Sequence, residues 1–248
     1  MTIVAGEKLF TPSESQASSL LARVSGVVSA PRTTFEALSR APRVVGVITL
    51  TLFVTIGCSA IVLETNVGQL ALLDRWDRVA SALGQPVDND LYQAMVEASR
   101  HGVAYATVMA VLTGPLLTVG LSMLLFATFR APAPSAVRYR QVLSVVAHAG
   151  VILALRQFVA APLTYVRETL SSPLTMGAFF PMLDEASAAA RVFAAIDVFV
   201  IWWIVALAVG MSVLYRRPTR RVAYLFVGAY VTLSIAVAMM TMVLGGTA

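Results

Sequence analysis

The stretch LSVVAHAGVILALRQFVAAP, residues 143–162, decides the fold because it is long and apolar enough to cross a bilayer. A transmembrane helix needs about 20 predominantly apolar residues. The interior of this stretch nevertheless contains His148 and Arg156. Ionisable side chains inside a span are costly and usually have a partner. The stretch therefore predicts a membrane helix in which these two side chains contact something other than lipid.

The composition of the whole chain also indicates a membrane protein. Its 248 residues are 58% hydrophobic and 12% charged, with a mean hydropathy of +0.80. A soluble domain carries about twice that charged fraction. The net charge of +5 comes from arginines in short clusters between apolar segments, which is typical of topology signals. We therefore expect a lipid bilayer, and no nucleic acid, as the partner of these arginines.

Five apolar segments are long enough to span a membrane. They predict an all-α polytopic membrane protein, a bundle of five transmembrane helices with amphipathic interfacial helices. The predicted spans are residues 44–63, 103–129, 142–163, 192–215 and 222–244. They form a membrane domain over residues 44–248, which follows a cytoplasmic N-terminal segment over residues 1–43.

The charge of the connections predicts the orientation of the spans. The N-terminal segment and the second and fourth connections are basic, and neither of these two connections contains an acid. Residues 64–102 contain six acids and three arginines, and residues 164–191 contain three acids and two arginines. Basic connections stay on the cytoplasmic side. This predicts a multi-pass protein whose N-terminus is cytoplasmic and whose C-terminus lies outside.

Three polar stretches show helical spacing of apolar residues and are expected to cover the bundle or to rest among lipid headgroups. The first stripe is Leu20, Leu21, Val24, Val27 and Val28, and Pro31 opens a second helix that carries Phe35 and Leu38. The third stripe is Leu72, Trp76, Val79, Ala80 and Leu83, ended by Gly84. Asn89 or Asp90 is predicted to cap a helix that continues into the second span. A docking face for a partner is the alternative for these helices.

Arg156 and Asp197 are predicted to form an intramembrane ion pair. Arg156 stands seven residues before the outer end of the third span, and Asp197 stands five residues after the outer start of the fourth. At about 1.5 Å per residue, both lie roughly 8–11 Å beneath the outer surface. The pair would fix helix packing or, with Asp197 titrating, would belong to a proton or solute path. Snorkelling of the two side chains to the interface is the third possibility.

His148 shares a helix face with Gln141 and Ser144, which predicts a second intramembrane polar site on the cytoplasmic half. A neutral imidazole bonded to a neighbouring span, a proton relay and a cofactor ligand are the three interpretations of His148. The only other histidine, His101, lies near the opposite face, so a bis-histidine haem within one chain is excluded. Four arginines are predicted to contact anionic lipid headgroups at the cytoplasmic face: Arg216, Arg217, Arg220 and Arg221.

The sequence lacks several common catalytic and metal-binding motifs. HExxH, GxSxG, a phosphate-binding glycine loop and an acid cluster suited to a metal are all missing. We therefore predict a protein that is not an enzyme and has no cofactor or metal. Gly114-Pro115 predicts an irregularity in the second span, and four glycines are expected to allow close helix approach: Gly46, Gly57, Gly120 and Gly210.

Three segments together carry a family resemblance. They are VVSAPRTTFEALSRAP before the first span, RQVLSVVAHAGVILAL in the third and AAIDVFVIWWIVALAVGM in the fourth. The chain resembles the bacterial branch of the Ypt-interacting-protein (Yip-type) family of five-span membrane proteins from about residue 24 to residue 244. The matching positions are Ala30-Pro31-Arg32, Thr34-Phe35, Asp197, Phe199, Trp202 and Gly210.

The resemblance implies a five-helix domain with a cytoplasmic N-terminus and no catalysis. Eukaryotic members are associated with Rab-type GTPases and vesicle traffic. The N-terminal segment of this chain lacks their long acidic, aromatic-rich region, so the resemblance carries over the fold and the non-enzymatic character but not Rab binding. The alanine- and arginine-rich composition predicts a bacterial inner membrane.

The sequence thus predicts an accessory or scaffolding subunit that acts through other membrane proteins, with a homo-oligomer left open. Two rival functions remain. One is a small transporter or channel subunit that uses Asp197 and His148. The other is a cofactor-binding subunit of a larger complex with His148 as the ligand.

Overall fold

The structure is a computed structural model, which describes residues 19–82, 84–130, 136–168, 173–180, 182, 187, 192–194 and 196–245. Within these ranges the secondary structure is helical apart from one isolated β-bridge, between Thr175 and Asp197. The all-α prediction is confirmed. Residues 1–18 and Leu83, which the sequence predictions include, lie outside the described residues.

Two short helices precede the membrane segments. Helix α1 (Leu20–Ser29) begins at Ser19, whose hydroxyl accepts a hydrogen bond from Ala22 N at 3.1 Å. Helix α2 (Pro31–Arg40) begins with a proline. Proline has no backbone N–H, but N–H groups in the first turn of a helix have no partner within the helix, so no hydrogen bond is lost. The two amphipathic helices predicted before the first span are therefore both present.

The remaining helices follow the predicted segments with shifted ends. They are α3 (Val45–Leu63), α4 (Asn66–Ala82), α5 (Asn89–Ser99), α6 (Gly102–Arg130), α7 (Tyr139–Ala149), α8 (Val151–Arg167), α9 (Val198–Tyr215) and α10 (Thr219–Gly245), with a 3-10 turn at Met176–Phe179. Helices α7 and α8 together form the third span, Tyr139–Arg167. Gly150 lies between them, and its carbonyl accepts from both Leu153 N and Ala154 N. The local tightening at Gly150 therefore joins α7 and α8 through hydrogen bonds to the Gly150 carbonyl.

Four helical segments in the described ranges are long and apolar enough to cross a membrane: α3, α6, the α7–α8 segment and α9. The protein is thus a polytopic membrane protein. The fifth predicted span, residues 222–244, lies within the 27-residue helix α10. That α10 also crosses the bilayer stays a prediction.

The third span is the centre of the bundle. Within the most apolar 18 residues of this span, 56% of the residues are buried inside the protein. The corresponding share is 11% in α3 and 11% in α6. The outward side of α6 exposes large aliphatic side chains, Leu112, Leu116, Leu117 and Leu124, which suit contact with lipid tails. The α7–α8 segment therefore positions the sites, and α3 and α6 shield one side of it.

The N-terminal helices pack into the same core as the spans. Val27, Phe35 and Leu38 are 0–2% exposed and belong to one buried cluster with residues of α7 and α9. The boundary predicted at residues 43 and 44 therefore does not separate two packed units. Helices α1 and α2 cover one end of the bundle, as expected for amphipathic helices, and do so as part of its core.

Two local features differ from the sequence expectations. The cap of α5 is Asp88, whose carboxylate accepts from Leu91 N at 2.8 Å, in place of Asn89 or Asp90. A turn at Arg100 and His101 separates α5 from α6, so the predicted continuous helix is interrupted. Helix α6 continues through Pro115 from Gly102 to Arg130, and the irregularity expected at Gly114-Pro115 stays a prediction.

Candidate functional site

Arg156 and Asp197 form an ion pair that joins the third span to the fourth. Arg156 Nε donates to Asp197 Oδ2 at 2.7 Å, and the two side chains are 23% and 8% exposed. The sequence placed Asp197 inside a helix that begins at residue 192, whereas α9 begins at Val198 and Asp197 is its N-cap. The carboxylate therefore lies at a helix end, where backbone N–H groups need acceptors.

Asp197 connects more elements than its charge alone suggests. Its Oδ1 accepts from Phe199 N at 2.9 Å and from Val200 N at 3.3 Å. Its own N–H donates to Tyr230 Oη of α10 at 3.0 Å, and it pairs with Thr175 in the β-bridge. Sequence reasoning missed Thr175 and Tyr230, since neither lies in a motif and their separation from Asp197 follows no helical period.

Two cavities adjoin Arg156 and Gln157. The outer cavity, of about 1020 Å³, lies between α3, α4, α6 and α8 and includes the rings of Trp76 and Tyr105 in its wall. The inner cavity, of about 810 Å³, lies deeper between α3, α6, α8 and α9 and is mostly aliphatic. Neither Asp197 nor His148 lines either of them. The ion pair thus borders these cavities through Arg156 alone.

The predicted polar face of α7 binds the connection between α2 and α3. Gln141 Nε2 donates to the carbonyl of Ser39 at 2.7 Å, and Ser144 Oγ donates to the carbonyl of Arg43 at 3.1 Å. The last carbonyls of a helix have no partner within that helix. Gln141 and Ser144 therefore satisfy acceptors at and just after the end of α2 and fix the N-terminal helices against the third span.

His148 lies on the same face and is completely buried. Its Nδ1 lies 2.8 Å from the Ser144 carbonyl of its own helix, and a carbonyl can only accept, so Nδ1 carries the proton. In the neutral ring Nε2 is then an acceptor, and it has no partner among the described residues. The prediction of a bond to a neighbouring span thus differs from the structure.

Arg23 of α1 lies near this face. Burial, and then the charge of Arg43, lower the pKa of the Arg23 guanidinium from its ordinary value. An arginine remains charged at neutral pH even so. The polar face of α7 therefore lies near a positive charge, the guanidinium of Arg23 on α1.

At Gly210, helix α9 packs closely against both α7 and α2. A Cβ built at Gly210 would overlap Val145 Cγ1 of α7 and would lie 3.3 Å from the Phe35 ring of α2. Gly57 and Gly120, which were expected to act similarly, have no such neighbours, and Gly46 has ordinary contacts at 3.7 Å. Two positions of the family resemblance, Phe35 and Gly210, thus lie next to each other, with no room for a side chain at residue 210.

The four predicted headgroup arginines occupy different places. Arg216 and Arg217 follow α9 and line a cavity of about 640 Å³ with residues of α2, whereas Arg220 and Arg221 belong to α10 and do not line it. Among the described residues there is no group of three or more His, Cys, Asp and Glu side chains that could hold a metal ion.

These features define an all-α protein that crosses the membrane several times, with one apolar core and a few polar contacts between its helices. The chain belongs to the Yip1 domain family, which it matches over residues 25–242. This confirms the resemblance seen in the sequence, while the count of five spans and the bacterial branch stay predictions. The family is not known as enzymatic. No curated protein and no solved structure matches the chain.

Proposed function

We propose that this protein is a non-enzymatic accessory or scaffolding subunit of a bacterial inner membrane, which acts through other membrane proteins. The observation that supports this most is the use of its polar intramembrane side chains. Gln141, Ser144, Arg156 and Asp197 all make contacts within the chain that fix one element against another. Such contacts suit a rigid platform. The alternation of basic and acidic connections supports a cytoplasmic N-terminus and an external C-terminus.

Helix α1 offers a surface for a partner. Leu21 and Val28 are 74% and 41% exposed. They border an apolar groove of about 780 Å³ that continues along α3 and α8 to Val151 and Phe158. The exposed apolar stripe and the groove form one surface, which would contact either lipid or an apolar helix of another protein.

The test is purification of the tagged full chain from its native membrane in mild detergent, followed by mass spectrometry. We expect one or more membrane proteins in stoichiometric amount, and loss of them from a Leu21→Ser/Val28→Ser variant that still inserts. The matched control is Leu112→Ser/Leu124→Ser, which changes exposed aliphatic residues of α6 that line neither this groove nor the two cavities beside Arg156. A chain that is recovered alone or only with copies of itself would refute the accessory role and favour transport, and the copies would also identify a homo-oligomer.

Transport is the second candidate function, because the two cavities meet at Arg156 and Gln157. A proton-coupled path would need Asp197, whose side chain holds Arg156 beside both cavities. A pH-dependent flux in liposomes that disappears in Asp197→Asn would favour transport over the accessory role. The cofactor interpretation of His148 has no such support. An absorption spectrum of the purified protein tests it directly.

A further inference from the structure

A polar cavity of about 640 Å³ lies where α2 meets the turn between α9 and α10. Four arginines line it, Arg32 and Arg40 from α2 and Arg216 and Arg217 from the turn. The two pairs are about 180 residues apart in sequence. The folded chain therefore gathers a charge cluster that the sequence does not show.

The positive charge of this cavity is not balanced within the described part of the chain. The only acid in its wall is Glu36, whose Oε1 accepts from Arg32 Nε at 3.3 Å. No described acid lies within 4.0 Å of Arg40, Arg216 or Arg217 in an ion pair. Guanidinium groups present planar forks of N–H donors that match phosphate oxygens. Three such groups around one polar cavity are complementary to a phosphate.

The wall of this cavity is ordered at the start of α10. The Ser212 hydroxyl donates to the Val209 carbonyl at 2.8 Å and so accepts from the Thr219 hydroxyl, also at 2.8 Å. Thr219 is also the first residue of α10, a 27-residue helix. The N–H groups and the dipole at the start of a helix favour an anion.

Arg216 has a backbone conformation that an arginine rarely adopts. Its φ is +51°, in the left-handed region, where glycine is the usual residue after a helix. Its N–H and that of Arg217 both donate to the Ser212 carbonyl, which ends α9 at the cavity wall. A strained arginine at a position that glycine would fill more easily is consistent with a use for its side chain.

We propose that this cavity binds a phosphate group, either in the headgroup of an anionic lipid or in a soluble phosphate ester. The site consists of Arg40, Arg216 and Arg217, beside the N-terminus of α10. Arg220 and Arg221 lie outside it and supply only general surface charge. The site is independent of the proposed accessory role.

The test compares two variants of the full chain that each lose two charges from the same connection. Arg216→Gly/Arg217→Gln removes two arginines of the cavity, and Arg220→Gln/Arg221→Gln removes two outside it. Each protein, in neutral detergent, is titrated with inorganic phosphate by calorimetry. Native mass spectrometry then counts the phosphatidylglycerol molecules that stay bound to each protein. Phosphatidylcholine, which has no net charge, serves as the comparison lipid.

We expect the first variant to bind at least about tenfold more weakly than the unchanged protein, since charge-assisted contacts are lost, and the second to stay within about twofold. Arg216→Gly relieves a strained backbone, so the melting temperature of that variant should not fall, which excludes misfolding as the cause. Lipid retention without phosphate binding identifies a headgroup, and the reverse identifies a soluble ester. Equal weakening in both variants, or no binding by the unchanged protein, would overturn the site.

Discussion

Asp197 uses its two carboxylate oxygens for different purposes, which makes its two roles separable by mutation. Oδ2 pairs with Arg156, while Oδ1 caps α9. Asparagine is a good N-cap residue but carries no charge, whereas alanine neither caps nor pairs. We expect Asp197→Asn to destabilise the protein by about 2 kcal/mol, less than a fully buried pair, because Arg156 is partly exposed. Asp197→Ala should cost about 1 kcal/mol more.

Equilibrium unfolding in mixed micelles measures these differences. Adding Arg156→Met to Asp197→Asn should restore part of the lost stability, because it removes the charge left without its partner. Simple addition of the costs of Arg156→Met and Asp197→Asn would mean that the two side chains do not interact energetically.

Gly210 provides a second residue-scale prediction, which concerns packing. Gly210→Ala places a methyl group against Val145 and the Phe35 ring, and we expect it to cost about 1–3 kcal/mol of stability. Gly120→Ala is the matched control, since a Cβ at that position meets nothing within 4 Å. Thermal unfolding in the same detergent compares them. Equal melting temperatures for the two variants would show that the packing between α2, α7 and α9 accommodates an added methyl group without a loss of stability.

At the scale of single elements, α7 fixes the position of the N-terminal helices through side-chain hydrogen bonds. Gln141 also caps α7 itself, because its Oε1 accepts from Arg138 N at 2.8 Å. The variant Gln141→Glu/Ser144→Ala keeps that acceptor oxygen and removes both donors to the α2–α3 connection. Each carbonyl left unsatisfied costs about 1–3 kcal/mol if it stays away from water. We therefore expect amide hydrogen exchange in residues 31–43 to become at least about tenfold faster.

The control for this prediction is Tyr139→Phe. The Tyr139 hydroxyl reaches the Val119 carbonyl only at 3.4 Å in an exposed position, so its loss should leave exchange unchanged. Unaltered exchange in the double variant would show that apolar packing of Phe35 and Leu38 alone holds α2 in place.

Local patterns predicted the helices well but not their contacts. The stripe from Leu20 to Val28 and the proline at residue 31 correctly predicted α1 and α2, because amphipathic spacing and a helix-starting proline act within a few residues. The start of α9 was placed at residue 192, since apolar composition cannot show that Asp197 ends the preceding loop. The bonds of Gln141 to Ser39 and of Ser144 to Arg43 join residues about 100 apart, and no local pattern encodes such a distance.

At the scale of the whole molecule, the number of spans determines the side on which the chain ends. Five spans put the termini on opposite sides of the membrane, and four put them on the same side. Cys58 is the only cysteine, so a Cys58→Ser background allows single cysteines to be introduced at residues 2 and 247. We expect a membrane-impermeant thiol reagent to label residue 247 in intact cells and residue 2 only after lysis.

A cysteine introduced at residue 217 serves as the control for this experiment, since the basic connection before α10 is predicted to be cytoplasmic. Protection of residue 247 in intact cells would contradict the five-span topology and would make α10 a helix that returns to, or rests on, the cytoplasmic side.

The contact between the N-terminal helices and the third span also sets an order of events during synthesis. Ser39 leaves the ribosome 102 residues before Gln141, and Phe35 leaves it 175 residues before Gly210. At roughly 5–20 residues per second, α1 and α2 wait about 5–20 s for the first partner and about 9–35 s for the second. During that interval Leu20 and Val24 can already pack on α3, whereas the apolar side chains that later contact α7 and α9 have the bilayer surface to cover them. The same amphipathic pattern that later fills the core therefore suits α1 and α2 to lie on the membrane surface until their partner helices have been made.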